Sequence, residues 1–385
     1  MSSKKNVILK ETALYIHIPF CEHKCIYCDF YSIINFENTE KYLDAMFKEI
    51  DFYSNLYTQN RIYTSIFFGG GTPSLMAPDY IEKIISKLKN SFTVSDDAEV
   101  TLETNPGTVS YQKLIDFRKA GINRLSVGVQ SFHEEDLKFL TRIHTNEEAI
   151  KCFYDAVDAG FNNINIDLIF NLPAQTKEKW IYNLNKAFGL PITHISAYSL
   201  ILEKGTILNK MVLDGKVNIA DEDFDAELYS TTMQLMEKHN FKQYEVSNFA
   251  KDGFQCRHNL AYWTYKDYLS FGTSSHSFME NKRWWNLSSL KMYMDSIYKN
   301  SQAKASIETL SIEDNKREYT MLALRSTGLN LKEYQQKFNE DFFTKKKSLL
   351  NDLVKNEYAH FQDQQLILTQ KGFPLADEIM LKLID

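Results

Sequence analysis

From residue 13 to residue 202 the chain alternates short β-like runs with helical patterns, and this alternation limits the fold more than any other feature. The runs ALYIHI (13–18), SIFFGGG (65–71), EVTLETNPG (99–107), RLSVGVQSF (124–132), NINIDLIFNLP (163–173) and HISAYSLIL (194–202) read as strands. Apolar residues at helical spacing lie between them, as with Tyr42, Met46, Ile50 and Tyr53, or Trp180, Ile181, Leu184 and Phe188. Six strand–helix pairs in series demand a parallel sheet, because parallel neighbours need a crossover connection. Repeated units of this kind point to an α/β barrel or partial barrel, whose active site lies at the C-terminal ends of the strands. Cys21, Gly70, Glu103, Gln130 and Asp167 all fall at or just after those predicted ends.

The first of these ends carries the sharpest motif. In YIHIPFCEHKCIYCDFYS, Cys21, Cys25 and Cys28 are spaced C-x3-C-x2-C. Three thiols so close leave one odd sulfur in any disulfide scheme. A structural zinc site wants a fourth Cys or His at comparable spacing. His17 alternates along the strand and His23 sits inside the loop, so spacing alone keeps a zinc knuckle open beside the better fit, an iron–sulfur cluster with one iron free of protein ligands. Five cysteines, three of them clustered, suit a reducing cytosol.

The same string resembles the signature of the radical S-adenosylmethionine (SAM) superfamily. Its flanks, YIHIPFC and CDFYS, resemble the coproporphyrinogen-dehydrogenase-like group. The dehydrogenases of that group carry a further Cys two residues after the third one, where this chain has Phe30. A Phe there is typical of the haem-chaperone branch. The resemblance implies a partial (β/α)6 barrel over residues 1–240, open on one side for a large substrate. It also implies a [4Fe-4S] cluster on Cys21, Cys25 and Cys28, whose open iron SAM would chelate through its amino and carboxylate groups.

The strand-end residues take roles from the same resemblance. GGGTPS (69–74) lets backbone approach a ligand, although a plain strand-to-helix turn has the same look. The family places Gly70, Gly71 and Thr72 at the amino end of SAM. Glu103 could accept hydrogen bonds from ribose hydroxyls or could serve as a helix cap ahead of Pro106. Gln130 and Arg142 match the family's SAM-binding Gln and Arg, the guanidinium suiting a carboxylate; on spacing alone Arg142 is a surface helix residue. Asp167 is a carboxylate within an apolar strand, and such groups are rarely buried without a partner; its family counterpart faces the adenosyl group. Tyr15 and Tyr27 are expected to pack near the cofactor.

Residues 241–304 form an irregular connecting region holding QCRHNLAYW (255–263). His258, Asn259, Tyr262 and Trp263 spell the H-N-x-x-Y-W pattern shared with the haem chaperones. Imidazole can ligate haem iron and aromatic rings can cover a porphyrin face, while Cys256 could offer a thiolate instead. On chemistry alone His258 is more often a satisfied core histidine, and only the resemblance brings haem ligation level with that reading. His276, in GTSSHS, is a second candidate. That string is poorer in glycine than the expected GxGAHS, and Asn171 replaces another expected Gly, though Asn also tolerates left-handed backbone.

Residues 305–385 read as helix, helix, helix and hairpin, with a closing helix from Pro374, which is a winged-helix-like α+β order. Over 311–385 the chain holds 11 Lys and Arg against 12 Asp and Glu, and the whole carries a net charge of −6. A DNA-reading wing needs a basic face, so nucleic acid is not expected as a partner, and an iron–sulfur-sensing regulator is disfavoured. No run reaches the length of a membrane span, and the first residues lack a secretory signal pattern. The expected function is that of a cytoplasmic haem chaperone passing haem to haem-requiring, respiratory proteins. The alternative is an oxygen-independent coproporphyrinogen III dehydrogenase of porphyrin biosynthesis, which Phe30 puts in doubt.

Overall fold

The structure, a computed structural model, describes residues 9–384; Asp385 and the first eight residues, part of the stretch read for a secretory signal, lie outside it. Six strands, β1 (Lys10–Ile18), β2 (Arg61–Gly70), β3 (Val94–Thr104), β4 (Arg124–Gln130), β5 (Ile164–Phe170) and β6 (His194–Ser199), lie side by side in chain order. All five junctions are parallel, and helices occupy each crossover. Polar residues mark where helices begin: Thr145 and Glu148 close a capping box on Asn146–Asp158, and Ser110 caps Tyr111–Lys119.

The stretch 241–309 extends this sheet at both flanks. Beyond β6 lie β8 (Asn248–Ala250) and then β7 (Lys242–Gln243), both antiparallel. On the other side β9 (Asp267–Phe271) pairs in parallel with β1 and is followed by antiparallel β10 (His276–Met279), β11 (Lys282–Asn286) and β12 (Lys304–Thr309). Among the described residues the sheet therefore has twelve strands, with β7 and β12 at its edges. The short helix Arg257–Trp263, which carries the HNLAYW string, lies in the segment between the two flanks and packs on β1, β2 and β9.

Strand alternation divides the sheet into two chemically distinct faces. Leu14, Ile16 and Ile18, then Ile66 and Phe68, then Leu125, Val127 and Val129 join the helices in one large apolar core. Each such side chain contributes about 1.5–3 kcal/mol on burial. The alternate residues Tyr15, His17, Glu103, Ser126, Asp167 and Ser196 look the other way, onto a polar inner face.

The C-terminal helices Ile312–Leu324, Leu331–Phe338 and Phe342–Lys355 precede a hairpin of Ala359–Gln362 and Gln365–Leu368. Its turn residues Asp363 and Gln364 both have positive φ, 48° and 66°, as a tight two-residue hairpin turn requires. A two-residue strand, Leu329–Asn330, joins this hairpin and was not expected, being too short to show a pattern. Tyr319, Leu324, Leu350 and Leu366 form a second core, which reaches the large sheet through Tyr265 and Phe278. Among the described residues no helix is long and apolar enough to cross a membrane.

Candidate functional site

The cysteine loop leaves the C-terminal end of β1 and is zipped shut at its base. Cys21 N donates to Ile33 O at 2.9 Å and Ile33 N to Pro19 O at 2.7 Å. Cys21 is buried and Cys25 and Cys28 are half-buried; all three are free thiols. Burial raises the Cys21 pKa and pushes Cys28 up to about 11. Bound iron would supply the positive charge that ionises them. Among the described residues no three His, Cys, Asp or Glu side chains gather around a single metal position. An iron–sulfur cubane asks for a different arrangement, since each thiolate takes its own iron. Three thiols on one loop are the kind of donor set that three irons of such a cluster take.

The glycine turn after β2 is stitched directly to this loop. Gly71 N donates to Ile18 O at 2.7 Å, Thr72 N to Phe20 O at 2.8 Å, and Thr72 Oγ1 lies 3.5 Å from Cys21 Sγ. Gly70 adopts φ +110°, and a Cβ there would fall 2.5 Å from the His17 ring. A Cβ on Gly71 would meet Phe20 O at 2.7 Å. Two backbones touch here, which only glycine permits. His17 is itself held by Tyr15 Oη at 3.2 Å and by Tyr31 O at 3.1 Å.

Glu103 is no helix cap. Its Oε2 accepts the N–H of Gly70 at 3.2 Å, joining β3 to the glycine turn. Burial, and secondarily the Asp167 charge, lift its pKa to about 8. Asp167 lies in the middle of β5 and not at its end, because the strand runs on through Leu168, Ile169 and Phe170. It accepts from Asn165 Nδ2 at 2.7 Å and Ser126 Oγ at 3.2 Å, and burial raises it too. Gln130 ends β4 beside a register break, with φ +73°.

Arg142 is not the surface residue that spacing alone allows. Its Nη2 donates to Asn105 Oδ1 and to Gly128 O, both at 2.6 Å, and its Nη1 lies 3.7 Å from Cys25 Sγ. Its Nε is buried without a partner, so the guanidinium keeps an unused donor for an anion. Tyr27 packs against the small cluster of Leu140, Ile169 and Leu172. Cys25, Thr72, Asn105 and Arg142 line one narrow cleft. Sequence reasoning missed Asn105, which also donates to Thr72 Oγ1 at 3.1 Å. Its position two residues beyond Glu103 was the available signal, since alternation puts both on one face.

The HNLAYW residues occupy the floor of the inner face. His258 is 1% exposed, with Nδ1 3.0 Å from Ser65 Oγ and Nε2 2.8 Å from Tyr262 Oη. Its ring stacks on Phe67, and burial drives its pKa down to about 3. Cys256 is fully buried, donates to Glu99 Oε1 at 3.4 Å and is pushed up to about 12 by burial. Asn259, Tyr262 and Trp263 are half-buried. The expected replacements for glycine behave consistently: Asn171 has φ +60° and Ser274 φ +59°.

The Radical SAM superfamily model matches residues 15–186. The heme chaperone HemW of Bacillus subtilis is 34% identical over 368 residues, covering 95% of this chain and 97% of that protein. HemW of Escherichia coli is 37% identical over 272 residues, 70% of this chain and 71% of that one. The solved structure of Escherichia coli coproporphyrinogen III oxidase (HemN), a radical SAM enzyme, superposes with TM-score 0.82 at 23% identity, covering 97% of this chain and 90% of that one. It establishes the fold, an α/β partial barrel with a mixed sheet and a helical C-terminal region holding a small sheet. The chain belongs to the radical SAM superfamily and, within it, to the family of the heme chaperone HemW.

Proposed function

We propose that the chain is a cytoplasmic haem chaperone, binding haem as cargo and passing it to haem-dependent, respiratory proteins. The observation that carries this is the full-length match to HemW, joined to Phe30 in the position of the dehydrogenases' further cysteine. Phe30 is 61% exposed beside the cysteine loop, which offers an apolar surface there and no fourth thiol.

Cys21, Cys25 and Cys28 would hold a [4Fe-4S] cluster, with SAM on its open iron. Bound there, the pair supplies one-electron cleavage of the sulfonium. The protein's part is positioning. Gly70, Gly71 and Thr72 let the cofactor's amino end approach backbone. Arg142 would offer a carboxylate its unpartnered Nε, while Asn105 and Gly128 hold the guanidinium in place. Glu103, Gln130 and Asp167 would serve the nucleoside end, with Tyr15 and Tyr27 excluding water around it.

A second reading, oxygen-independent coproporphyrinogen III dehydrogenation, is favoured by the whole arrangement around Arg142, which a pure carrier has less need to keep. Anaerobic reconstitution with iron, sulfide, SAM and haem tests both. A chaperone shows a haem spectrum and releases haem to an apo-acceptor. Protoporphyrinogen formed from coproporphyrinogen, without haem uptake, would establish the enzyme instead.

A further inference from the structure

A haem-carrying protein of this fold needs an iron ligand that can be reached, and the structure separates its nine histidines sharply on that point. His17, His194 and His258 are buried with both ring nitrogens engaged. His144 is 4% exposed. His133 and His239 pack on outer helices, against Tyr182 and Phe188, and His360 lies in the C-terminal hairpin. His23 lies between two of the clustered cysteines and lines the narrow cleft beside Arg142. There remains His276.

Its placement is specific. The end of β9 is level with β1, Phe271 pairing with Ile16, so the turn Gly272–Ser275 projects beside His17 at the mouth of the inner face. His276 opens the return strand there. It shares a face with Phe278, two residues on, while Met279 joins the outer core. The ring is exposed, makes no hydrogen bond among the described residues, and lies 5.8 Å from the cross-strand Trp285 ring, tilted only 22°. Partial burial, with the Arg283 charge, keeps its pKa below the ordinary histidine value, so the ring is a neutral donor at pH 7.

The turn beneath it is heavily tied. Glu49 Oε2 accepts Gly272 N at 2.9 Å, and Asn286 Nδ2 donates to Glu49 Oε1 at 2.6 Å and to Gly272 O at 2.9 Å. Tyr42 Oη accepts Thr273 N at 3.2 Å while donating to His17 O at 2.7 Å. A free imidazole on a fixed turn, oriented by an indole, is what a preorganised metal ligand requires.

We propose that His276 is the protein ligand to the iron of the bound tetrapyrrole, with Trp285 setting the orientation of its ring; this rests on the haem-chaperone reading. The imidazole lone pair takes an axial position in place of water, with no change in protons or electrons. His258 then has a structural part, ordering Tyr262 on the floor below.

The test is haemin titration of the cluster-reconstituted full chain, followed by optical and EPR spectra. His276→Ala is expected to lose the imidazole-ligated spectrum and bind haemin at least about tenfold more weakly, while keeping the cluster absorbance that reports an intact fold. Added free imidazole restores the spectrum in the variant. A haem spectrum unchanged in both His276→Ala and His276→Gln, or one lost only on His23→Ala, overturns the assignment and leaves the chaperone reading standing. A wild-type chain that takes up no haem overturns both.

Discussion

Arg142 Nη1 stands 3.7 Å from Cys25 Sγ, and the same guanidinium reaches Asn105 and Gly128 at the ends of β3 and β4. One buried cation thus links the sulfur loop to the two strand ends where a nucleoside would lie. The planar fork matters more than the charge.

Arg142→Lys should therefore keep its iron and lose SAM affinity by at least about tenfold, because a point charge cannot serve Asn105, Gly128 and a carboxylate together. Equilibrium dialysis with labelled SAM, beside iron analysis, reads both quantities. Undiminished affinity would remove Arg142 from the carboxylate site.

Replacing Cys21, Cys25 or Cys28 singly with Ser should abolish reconstituted iron and sulfide, whereas Cys152→Ser should not. Cys152 is buried in the outer core, away from the loop. Metal analysis after anaerobic reconstitution decides it. Retention of zinc in place of iron in the wild type would refute the cluster.

Gly70→Ala forces a Cβ to within 2.5 Å of the His17 ring at φ +110°. The loss in stability should be at least about 2 kcal/mol, the sum of left-handed strain and overpacking. A denaturant midpoint measures this, and Gly160→Ala is the comparison: it shares the positive φ but has nothing within 4 Å of its Cβ. Equal losses at the two positions would show that the approach to His17 costs nothing.

Glu49 is wholly buried, and burial raises its pKa from 4.5 to about 7. A raised carboxyl pKa means that the folded state holds the proton more tightly than the unfolded chain. Its stabilisation is full below about pH 4.5 and lost as pH rises through 7. Between pH 5 and 8 the wild type should lose stability, with Glu49 contributing on the order of 3 kcal/mol at most. Glu49→Gln should lower stability at pH 5 by about 1–3 kcal/mol, through its mismatched amide, and flatten the pH slope. Urea midpoints at both pH values read the slope, and an unflattened slope in the variant would place the titration elsewhere.

Much of the fold was legible because βα units are local: each strand and its helix show their own period, and the cysteine and glycine strings follow strands by simple adjacency. What lay beyond the sequence was long-range. No local pattern says that β9 sits in parallel beside β1, since strand partners are chosen by the whole sheet. Arg142 looked like a surface residue because its burial depends on loops that meet only in the fold. Asp167 was placed one strand-half too far along, as apolar residues at a strand end look like those at its middle. The left-handed position of Asn171 was readable, asparagine being one of few residues that accept it.

The strands flanking β6 and β1 come from one short stretch of chain, and residues 251–266 are all that connects them. That strap is pinned across the middle of the sheet, His258 to Ser65 on β2 and Cys256, Arg257 and His258 to Glu99 on β3. Slack inserted between Ala250 and Cys256 would therefore end at that anchor, and only a change within Cys256–Trp263 would be felt by the central strands.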